Sequence, residues 1–373
     1  MTSQMKTLAA LALVVAASAL AAYAQGNKFN ARGNTLIADQ FNNRVIEVDR
    51  RGNIVWQFGL GPADFSPASI IGTNDAQRVG ELTLMAGTGT PGGQPEAPNC
   101  TNASGCPDNR VLLVDRDGNI VWQYGQFAVT GSGFNQLNVP VQNTWLANGH
   151  VLITDQANER IIEVDLDKNI VWQYGTTGVS GNGPNQLNNP NCAELLENGH
   201  ILICDENNNR AIEVKRNVPI GGDIVWQYGS GDPTINDPVS GVAFASRLEN
   251  GHTLITDSNH NRVVEIDEDK NPVWEYFTCN GSGCNLLRGT GPLPTRAVRL
   301  RSGHTLISDQ YNHRVIEVNH AKHIVRTFGK IGDLGYNPES VGDGGLNSPY
   351  DAKRIGDYTG LTPPFCFGDG DCF

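Results

Sequence analysis

The chain has 373 residues, including 43 glycines and eight cysteines, and a formal net charge of −12. This length can bury a large core or close an array of repeats, and the glycine content is typical of folds with many tight turns. The acidic balance argues against a nucleic-acid partner, because neutralising phosphates needs a basic face.

The N-terminal residues have the pattern of an export signal. Lys6 supplies a positive charge, Leu8–Ala22 forms an apolar core, and Ala22-Tyr23-Ala24 fits a small-x-small cleavage site. The apolar stretch is shorter than the ~20 residues of a membrane-spanning helix, and no further apolar span follows. We therefore predict a cleaved signal peptide at residues 1–24, a secreted or periplasmic location, and no membrane span after cleavage. A retained membrane anchor is the alternative.

One sequence unit recurs six times over the following residues. Its fullest copy, Asn148–Gly175, holds the runs VLITD, RIIEVD and NIVWQYG, separated by polar turns. The alternation of β-branched and polar residues in these runs predicts strands. The other copies are Gly33–Gly59, a degenerate one at Asn109–Gly125, Asn198–Gly229, Asn250–Tyr276 and Ser302–Gly329.

A fourth run precedes most copies but is missing before the first. In the third copy it is Leu137–Gly149, and the missing one stands at the far end of the sequence, at Leu346–Tyr358. We therefore predict an all-β fold over residues 25–358: a six-bladed β-propeller of four-stranded antiparallel blades, closed by a C-terminal strand that completes the first blade. A solenoid is the competing architecture, but it would not need a displaced strand. Residues 359–373 are predicted to form a tail with a local disulfide.

The predicted topology separates two faces of the disc. With strands named a to d in each blade, the b–c and d–a loops share one face, and the a–b and c–d turns share the other. Three elaborations fall on the b–c/d–a face: an insertion at about Thr88–Asp108, the Cys279/Cys284 loop, and Lys330–Gly345. Because function usually lies on loops of a rigid scaffold, we expect a monomer that binds a protein or glycan partner there. Insertions tolerated without a partner are the alternative.

The cysteines are predicted to form disulfides, in keeping with an oxidising compartment. Cys192 and Cys204 flank a hairpin, where antiparallel strands place opposite residues at a distance that suits a disulfide. Two buried thiols are the alternative for that pair. No cysteine spacing fits zinc, and we predict no metal and no cofactor. The other expected pairs are Cys100/Cys106, Cys279/Cys284 and Cys366/Cys372.

Aspartate followed five residues later by arginine recurs at the b–c turn of five copies. A carboxylate there can accept both turn amides and an arginine fork, and the repetition predicts a structural clamp and not a catalytic site. The pairs are Asp39/Arg44, Asp155/Arg160, Asp205/Arg210, Asp257/Arg262 and Asp309/Arg314.

Two further residue types recur once per blade. The histidines lie at the a–b turn, too widely spread around a ring to converge on a metal ion, so we expect hydrogen-bonding roles. The tryptophans of strand d predict packing between blades, and Arg326 takes the tryptophan position in the last copy. These residues are His150, His200, His252 and His304, and Trp56, Trp122, Trp172, Trp226 and Trp274.

Polar residues outside the repeat fall on strand a, which would line the central tunnel. They are candidates for ligand binding, with the ordering of tunnel water as the alternative. The residues are Gln142, Asn143, Glu194, Arg296, Arg299, Asp351 and Lys353.

Two family resemblances accompany these patterns. The segments GSGFNQLNVP (Gly131–Pro140) and GNGPNQLNNP (Gly181–Pro190), each followed by D-x-x-N-x-R, resemble NHL repeats, which implies a six-bladed propeller. The sequence pattern NGHTLI…NRVVEID…PVWEY is similar to that of bacterial arylsulfotransferase-type propellers. Both groups span many functions, so the resemblance is specific for the fold and weak for activity.

An enzyme is therefore the alternative to a binding scaffold. Likeness to arylsulfotransferases implies sulfuryl transfer by a nucleophilic histidine inside the tunnel mouth, and His260 and His313 are the histidines expected on the b–c face. Both occupy repeat positions held by asparagine elsewhere, which favours turn hydrogen bonding. A lyase of NHL type would need a metal cage, and the sequence reveals none.

Overall fold

Six four-stranded antiparallel sheets stand in a ring in the computed structural model, which describes residues 29–216, 221–232, 237–279 and 291–357. This confirms the predicted all-β, six-bladed propeller. The predicted signal peptide and the tail at residues 359–373 lie outside the described ranges. Within those ranges, none of the helices has the length and apolar content needed to cross a bilayer.

The strands of each blade run from a, at the tunnel, to d, at the outside. Blade 1 consists of β24 (Pro349–Arg354), β1 (Thr35–Asp39), β2 (Arg44–Val48) and β3 (Ile54–Phe58). Blade 2 consists of β4 (Thr73–Val79), β5 (Leu82–Gly87), β6 (Arg110–Val114) and β7 (Ile120–Gly125). Blade 3 consists of β8 (Pro140–Trp145), β9 (Val151–Asp155), β10 (Arg160–Val164) and β11 (Ile170–Tyr174).

The remaining blades follow the same order. Blade 4 consists of β12 (Pro190–Leu195), β13 (Ile201–Asp205), β14 (Arg210–Arg216) and β15 (Gly222–Tyr228). Blade 5 consists of β16 (Val242–Arg247), β17 (Thr253–Asp257), β18 (Arg262–Ile266) and β19 (Pro272–Phe277). Blade 6 consists of β20 (Arg296–Arg299), β21 (Thr305–Asp309), β22 (Arg314–Val318) and β23 (Ile324–Gly329).

Ring closure occurs where the sequence predicts it. Strand β24 pairs antiparallel with β1, Thr35 opposite Arg354 and Ala38 opposite Asp351. The backbone N–H of Asn347 donates to Oδ1 of Asp39 at 2.7 Å, which fixes the entry to β24. Blade 1 therefore takes its inner strand from the far end of the propeller sequence.

A short 3₁₀ turn joins strands b and c in five blades. The residue after each turn has a left-handed backbone, with φ between 49° and 57°, which polar residues such as Asn tolerate better than most. The turns are Gln40–Asn42, Gln156–Asn158, Glu206–Asn208, Ser258–His260 and Gln310–Asn312, followed by Asn43, Glu159, Asn209, Asn261 and His313.

The Asp/Arg pairs lie in direct contact at these turns. In each of the five blades the arginine Nε donates to Oδ2 of the aspartate at 2.7 Å. In blade 3, Oδ1 of Asp155 also accepts the backbone N–H of Asn138, just before strand a. Burial raises the pKa of the Asp155 carboxyl, while Arg160 and the amide donors lower it. One carboxylate thus links strands a, b and c.

Blade 2 builds the same contact from a different position. Gly87 stands where the other blades have the aspartate, and Asp108 supplies the carboxylate that pairs with Arg110. A Cβ on Gly87 would collide with the Asp108 carboxylate, so only glycine leaves room for it. The insertion between β5 and β6 therefore replaces the 3₁₀ turn and carries its own clamp residue.

The core lies between blades. Trp172 and Tyr174 of blade 3 pack with Ile203 and Ile212 of blade 4, all of them buried. Full burial of a side chain of this kind contributes roughly 1.5–3 kcal/mol, so stacking of neighbours supplies most of the stability. Similar apolar clusters lie in the other seams.

A polar contact recurs in the seams, near the a–b and c–d turns. A glutamate of strand c accepts an arginine of the next blade at 2.5–2.9 Å, and it also accepts the repeated a–b turn histidine, replaced by Asn34 in blade 1. In four seams the arginine lies over the strand d tryptophan, 4.7–5.2 Å from a ring centroid. The Glu/Arg pairs are Glu47/Arg78, Glu163/Arg216, Glu213/Arg247, Glu265/Arg299 and Glu317/Arg354.

Candidate functional site

The mouth of the tunnel on the b–c/d–a face collects polar side chains that depart from the repeat. The residue after the clamp aspartate is Gln40, Gln156, Ser258 or Gln310 in four blades, but it is Glu206 in blade 4. The strand geometry places these residues around the mouth, because each begins the 3₁₀ turn at the top of an inner strand b. A single carboxyl group thus enters a ring of neutral polar groups.

A side chain from blade 1, Tyr350, crosses the tunnel to Asn191, the asparagine that also contacts this carboxyl. Asn191 Nδ2 donates to the hydroxyl of Tyr350 and to Oε2 of Glu206, both at 2.9 Å. Asn189 Nδ2 donates to the same Oε2 at 3.1 Å. Burial raises the pKa of Glu206 to about 7, since only neutral amides compensate its charge. Burial also raises the pKa of the Tyr350 phenol.

Amide groups link the opposite side of the mouth. Gln310 Nε2 donates to Oε1 of Gln40 at 2.8 Å, and Gln40 Nε2 donates to Oδ1 of Asn74 at 2.7 Å. This chain joins blades 6, 1 and 2, the three blades next to the ring closure. All three side chains are buried, so the chain stiffens the mouth.

Below the mouth, four buried charges fill the tunnel. Lys353 Nζ lies 2.6 Å from Asp75 and 2.7 Å from Asp351, and Arg296 contacts the same two carboxylates at 2.7 Å. The Arg296 guanidinium also lies 4.2 Å from the ring centroid of Phe244. Two cations face two carboxylates, so the cluster is balanced and joins blades 6, 1 and 2.

The predicted strand a residues divide between this cluster and the contacts around it. Arg296, Asp351 and Lys353 lie together, and Asn143 joins them through Nδ2, which donates to Asp75 at 2.8 Å. Asp75 was not predicted, although its place on strand a is a signal that could have found it.

The other predicted strand a residues contact the backbone or a seam. Gln142 Oε1 accepts the backbone N–H of Ala193 at 3.0 Å, and Glu194 Oε2 accepts that of Arg247 at 3.2 Å. Burial raises the pKa of Glu194 to about 8. Arg299 lies apart, paired with the Glu265 carboxylate near the turns. These contacts order neighbouring inner strands.

His260 and His313 occupy different environments. His260 has a side chain that is 42% exposed, and its Nδ1 lies 2.9 Å from Oδ2 of Asp257, the contact that Asn208 makes with Asp205 in blade 4. His313 is fully buried, and its Nδ1 accepts the backbone N–H of Ser348 at 3.1 Å.

The position of His313 forms a contact between neighbouring blades. In all six blades the residue that precedes strand c accepts a backbone N–H near the start of the next strand a. Asn43 makes this contact with Gly72 at 3.0 Å. His313 thus takes the place that an asparagine or glutamate side chain takes elsewhere.

Disulfides hold two parts of the structure. The predicted bonds Cys100–Cys106 and Cys192–Cys204 are both present, with Cα atoms 5.9 Å and 4.9 Å apart. The first one lies in the insertion of blade 2, and the second joins β12 to β13. Of the other predicted pairs, Cys284, Cys366 and Cys372 lie outside the described residues.

The insertion of blade 2 contacts neighbouring loops of the same face. Asn347 Nδ2 donates to the carbonyl of Glu96 at 2.7 Å, and Asn99 Nδ2 donates to the carbonyl of Pro62 at 3.2 Å. The insertion is therefore held against the closing segment and the d–a loop of blade 1.

The d–a loops and the end of strand β19 present apolar side chains to solvent. Phe134 is 71% exposed and Leu60 is 63% exposed, the two largest values among the large apolar residues of the described ranges. We call this set the apolar rim: Leu60, Val129, Phe134, Val179, Phe277, Ile331, Leu334 and Tyr336.

Within the described ranges, no three His, Cys, Asp or Glu side chains group in a way that could hold a metal ion. The carboxylates found at the mouth and in the tunnel are instead in contact with amides, arginine or lysine.

Comparisons with known proteins identify the fold alone. No family model matches the chain, and no curated protein sequence matches it. A protein of unknown function from Bacteroides caccae is similar in structure at 15% identity, with a TM-score of 0.53, over 81% of this chain and 97% of that one.

Two neighbours with described functions are more distant. A virginiamycin B lyase from Staphylococcus aureus, solved with quinupristin, has a TM-score of 0.45 at 14% identity over 70% of each chain. A structure of a nidogen/laminin complex has a TM-score of 0.49 at 12% identity over 79% of this chain and 92% of that one. Neither likeness carries an activity to this chain.

Proposed function

We propose that this chain is an extracellular or periplasmic binding protein whose b–c/d–a face docks a protein partner. The observation that carries the proposal is the apolar rim, whose members lie at the d–a ends of blades 1, 2, 3, 5 and 6. Large exposed apolar residues gathered on one face are typical of interaction sites. The two disulfides are consistent with an oxidising compartment.

The composition of the rim favours a protein over a glycan. It combines aliphatic side chains such as Leu60 and Leu334 with Phe134 and Tyr336, whereas sugar platforms rely on aromatic faces and polar groups. Aromatic anchors supported by aliphatic neighbours dominate the binding energy of protein interfaces. Because the net charge of the chain is −12, a partner with a neutral or basic surface is favoured.

Matched surface variants test the proposal. The full chain would be used to capture cross-linked partners from the extracytoplasmic fraction of its source, beside Leu60→Ser and Phe134→Ser. The controls are Val121→Ser and Val225→Ser, which are 53% and 51% exposed on outer strands. We expect rim variants to weaken binding roughly tenfold or more with unchanged melting temperature, and control variants to bind normally.

Hydrogen exchange on the captured complex locates the contact. Protection is expected in the d–a loops around Leu60 and Phe134. Equal binding by rim and control variants, or protection confined to the outer strands, would overturn the proposal. Loss of capture after glycosidase treatment of the partner would indicate a glycan instead.

A second function, acid–base chemistry at the mouth, has one observation in its favour. Glu206 has a pKa raised to about 7 by burial, near the range in which a carboxyl can both donate and accept protons. Likeness to NHL-repeat or arylsulfotransferase-type propellers remains a prediction from sequence. We propose structural roles for His260 and His313, because both repeat contacts made by asparagine in other blades.

This second function has its own test. Phenyl-sulfate transfer and hydrolysis would be assayed with the unaltered chain, with Glu206→Gln, and with His260→Ala. Turnover that disappears in Glu206→Gln and survives in His260→Ala would favour the mouth carboxyl. Turnover that requires His260 would contradict the structural role given to it.

A further inference from the structure

One seam differs from the others at the site of ring closure. Between blades 6 and 1, Arg326 stands at the strand d position where four other seams place a tryptophan beneath the seam arginine, which here is Arg354. Glu317 accepts Arg354 at 2.6 Å, Arg326 at 3.4 Å and His304 at 2.7 Å. One carboxylate thus serves two guanidinium groups and an imidazole.

The seam between blades 2 and 3 also departs from the repeated Glu/Arg contact, but in a different way. There Leu113 replaces the glutamate, and Trp145 replaces the arginine at the end of strand a. Both join the apolar cluster with Trp122. When that seam loses its carboxylate it also loses its cation, whereas the seam between blades 6 and 1 gains a cation without a new carboxylate.

A cavity of about 380 Å³ opens at the altered seam, on the face of the a–b and c–d turns. Three more arginines line it, and all three are exposed to solvent. Among the described residues, five guanidinium groups therefore line the cavity with two carboxylates, Glu317 and Asp357, in a chain whose net charge is −12. The five arginines are Arg32, Arg50, Arg301, Arg326 and Arg354.

Two glycines allow the arginines to converge. A Cβ on Gly33 would stand 2.8 Å from Nη2 of Arg50, and a Cβ on Gly356 would stand 2.8 Å from Cγ of Arg32. Arg354 lies deepest, 7% exposed, and its buried Nε has no hydrogen-bond partner among the described residues. The same holds for Nε of the other seam arginines, Arg78, Arg216, Arg247 and Arg299, so what distinguishes this seam is the number of arginines gathered around Arg354.

We propose that this cavity, which we call the arginine pocket, binds a small organic anion through a carboxylate, phosphate or sulfate group. Guanidinium groups match planar and tetrahedral oxyanions through paired N–H donors, and Arg is the residue best suited to them. A volume of this size exceeds that of a lone inorganic ion and falls in the range of small-molecule sites. Binding of an anion would also relieve the repulsion between Arg326 and Arg354.

The site is independent of the apolar rim, because the two lie on opposite faces of the disc. A partner docked on the b–c/d–a face leaves the arginine pocket open to solvent. The two proposals can therefore fail separately.

The experiment uses inorganic phosphate, sulfate and citrate as probes, at ionic strength matched with chloride. Titration calorimetry and thermal denaturation would be run on the unaltered chain, on Arg326→Trp and on Arg301→Gln. Arg326→Trp restores the residue found in the other strands d and is expected to fold, and Arg301 is exposed, so its loss leaves the core intact. Lys215→Gln, an exposed cation on β14, is the control.

We expect saturable binding of at least one probe to the unaltered chain and to the control. Loss of one charge-assisted pair should weaken it roughly tenfold to a hundredfold in both pocket variants, with partner capture by the opposite face unchanged. The order of affinity among phosphate, sulfate and citrate distinguishes the source of the oxyanion. Stabilisation no greater than that by chloride, or full affinity in Arg326→Trp, would overturn the proposal.

Discussion

The hydroxyl of Tyr350 reaches Asn191 on the opposite side of the ring, with Nδ2 of Asn191 donating at 2.9 Å. Tyr350 belongs to blade 1 and Asn191 to blade 4, so the contact is a brace across the tunnel. The same amide group donates to Glu206, which couples the brace to the carboxyl at the mouth. The tunnel mouth is therefore bridged by side chains at this level.

Removal of the phenol oxygen tests the brace. We expect Tyr350→Phe to lower the free energy of unfolding by about 1 kcal/mol, because the hydrogen bonds between the phenol oxygen and the Asn191 amide are lost while the ring stays in place. Urea denaturation followed by tryptophan fluorescence measures the change. Tyr336→Phe, in an exposed loop, is the control and should leave the midpoint unchanged. An equal midpoint for both variants would show that the brace adds nothing.

The buried charges below the mouth predict a larger effect. Asp75→Asn leaves Arg296 and Lys353 with one carboxylate between them, and breaking a buried pair in this way costs about 3–5 kcal/mol. Asp117→Asn, on an exposed turn, should change the unfolding free energy little. Thermal and denaturant unfolding give the comparison, and a loss similar to that of the control would contradict the structural weight given to the cluster.

The raised pKa of Glu206 predicts that the free energy of unfolding falls as the pH rises. Its pKa rises from 4.5 to about 7 on folding, so the folded chain holds the proton more tightly than the unfolded chain. The contribution of the protonated Glu206 carboxyl to the free energy of unfolding is complete below about pH 4.5, and it is lost as the pH rises through 7. We expect Glu206→Gln to be more stable than the unaltered chain at pH 8, by about 1–3 kcal/mol, with the two curves converging near pH 4.

The measurement is the free energy of unfolding at several pH values for both proteins. Glu197→Gln, an exposed carboxyl on an a–b turn, is the matched control and should follow the unaltered chain throughout. Parallel curves for Glu206→Gln and the unaltered chain would show that this carboxyl does not carry the effect.

The two disulfides predict different consequences of removal. Cys192 and Cys204 join paired strands of blade 4 within the ring, so replacing both by alanine should cost about 2–4 kcal/mol of global stability. Cys100 and Cys106 hold a loop outside the sheets, and their replacement should loosen the insertion with a smaller shift in melting temperature. Limited proteolysis detects the loosened loop, and a larger melting shift for the loop pair would contradict this assignment.

The fold was predictable because its signals are local and repeated. Alternating runs such as VLITD mark the strands, and the run missing before Gly33 but present at Leu346–Tyr358 indicates ring closure. The clamp role of the Asp108 carboxylate was not predicted, because the prediction relied on repetition. Asp108 has no counterpart in the other copies, so comparison between repeats cannot assign it, and its contact depends on the absence of a side chain at Gly87.

The site was less predictable because its contacts join distant blades. Glu47 and Glu163 follow Arg44 and Arg160 by three residues in a visible pattern, but their arginine partners lie on the next blade. The Tyr350 contact spans 159 residues and depends on the size of the ring. Departures from the repeat were the useful signal: Glu206 and Arg326 both differ from their counterparts, and each lies at a proposed site.

The pairing of β1 with β24 has a consequence for how this protein is made. Asp39 meets Asn347 across 308 residues, so the inner edge of the first blade stays unpaired until nearly all of the propeller sequence is available. A contact of such length is slow to form, because the chain must close a large loop first. Assembly of the native ring is therefore expected to finish only after synthesis has passed Arg354, and premature termination before that residue would leave an open, aggregation-prone edge.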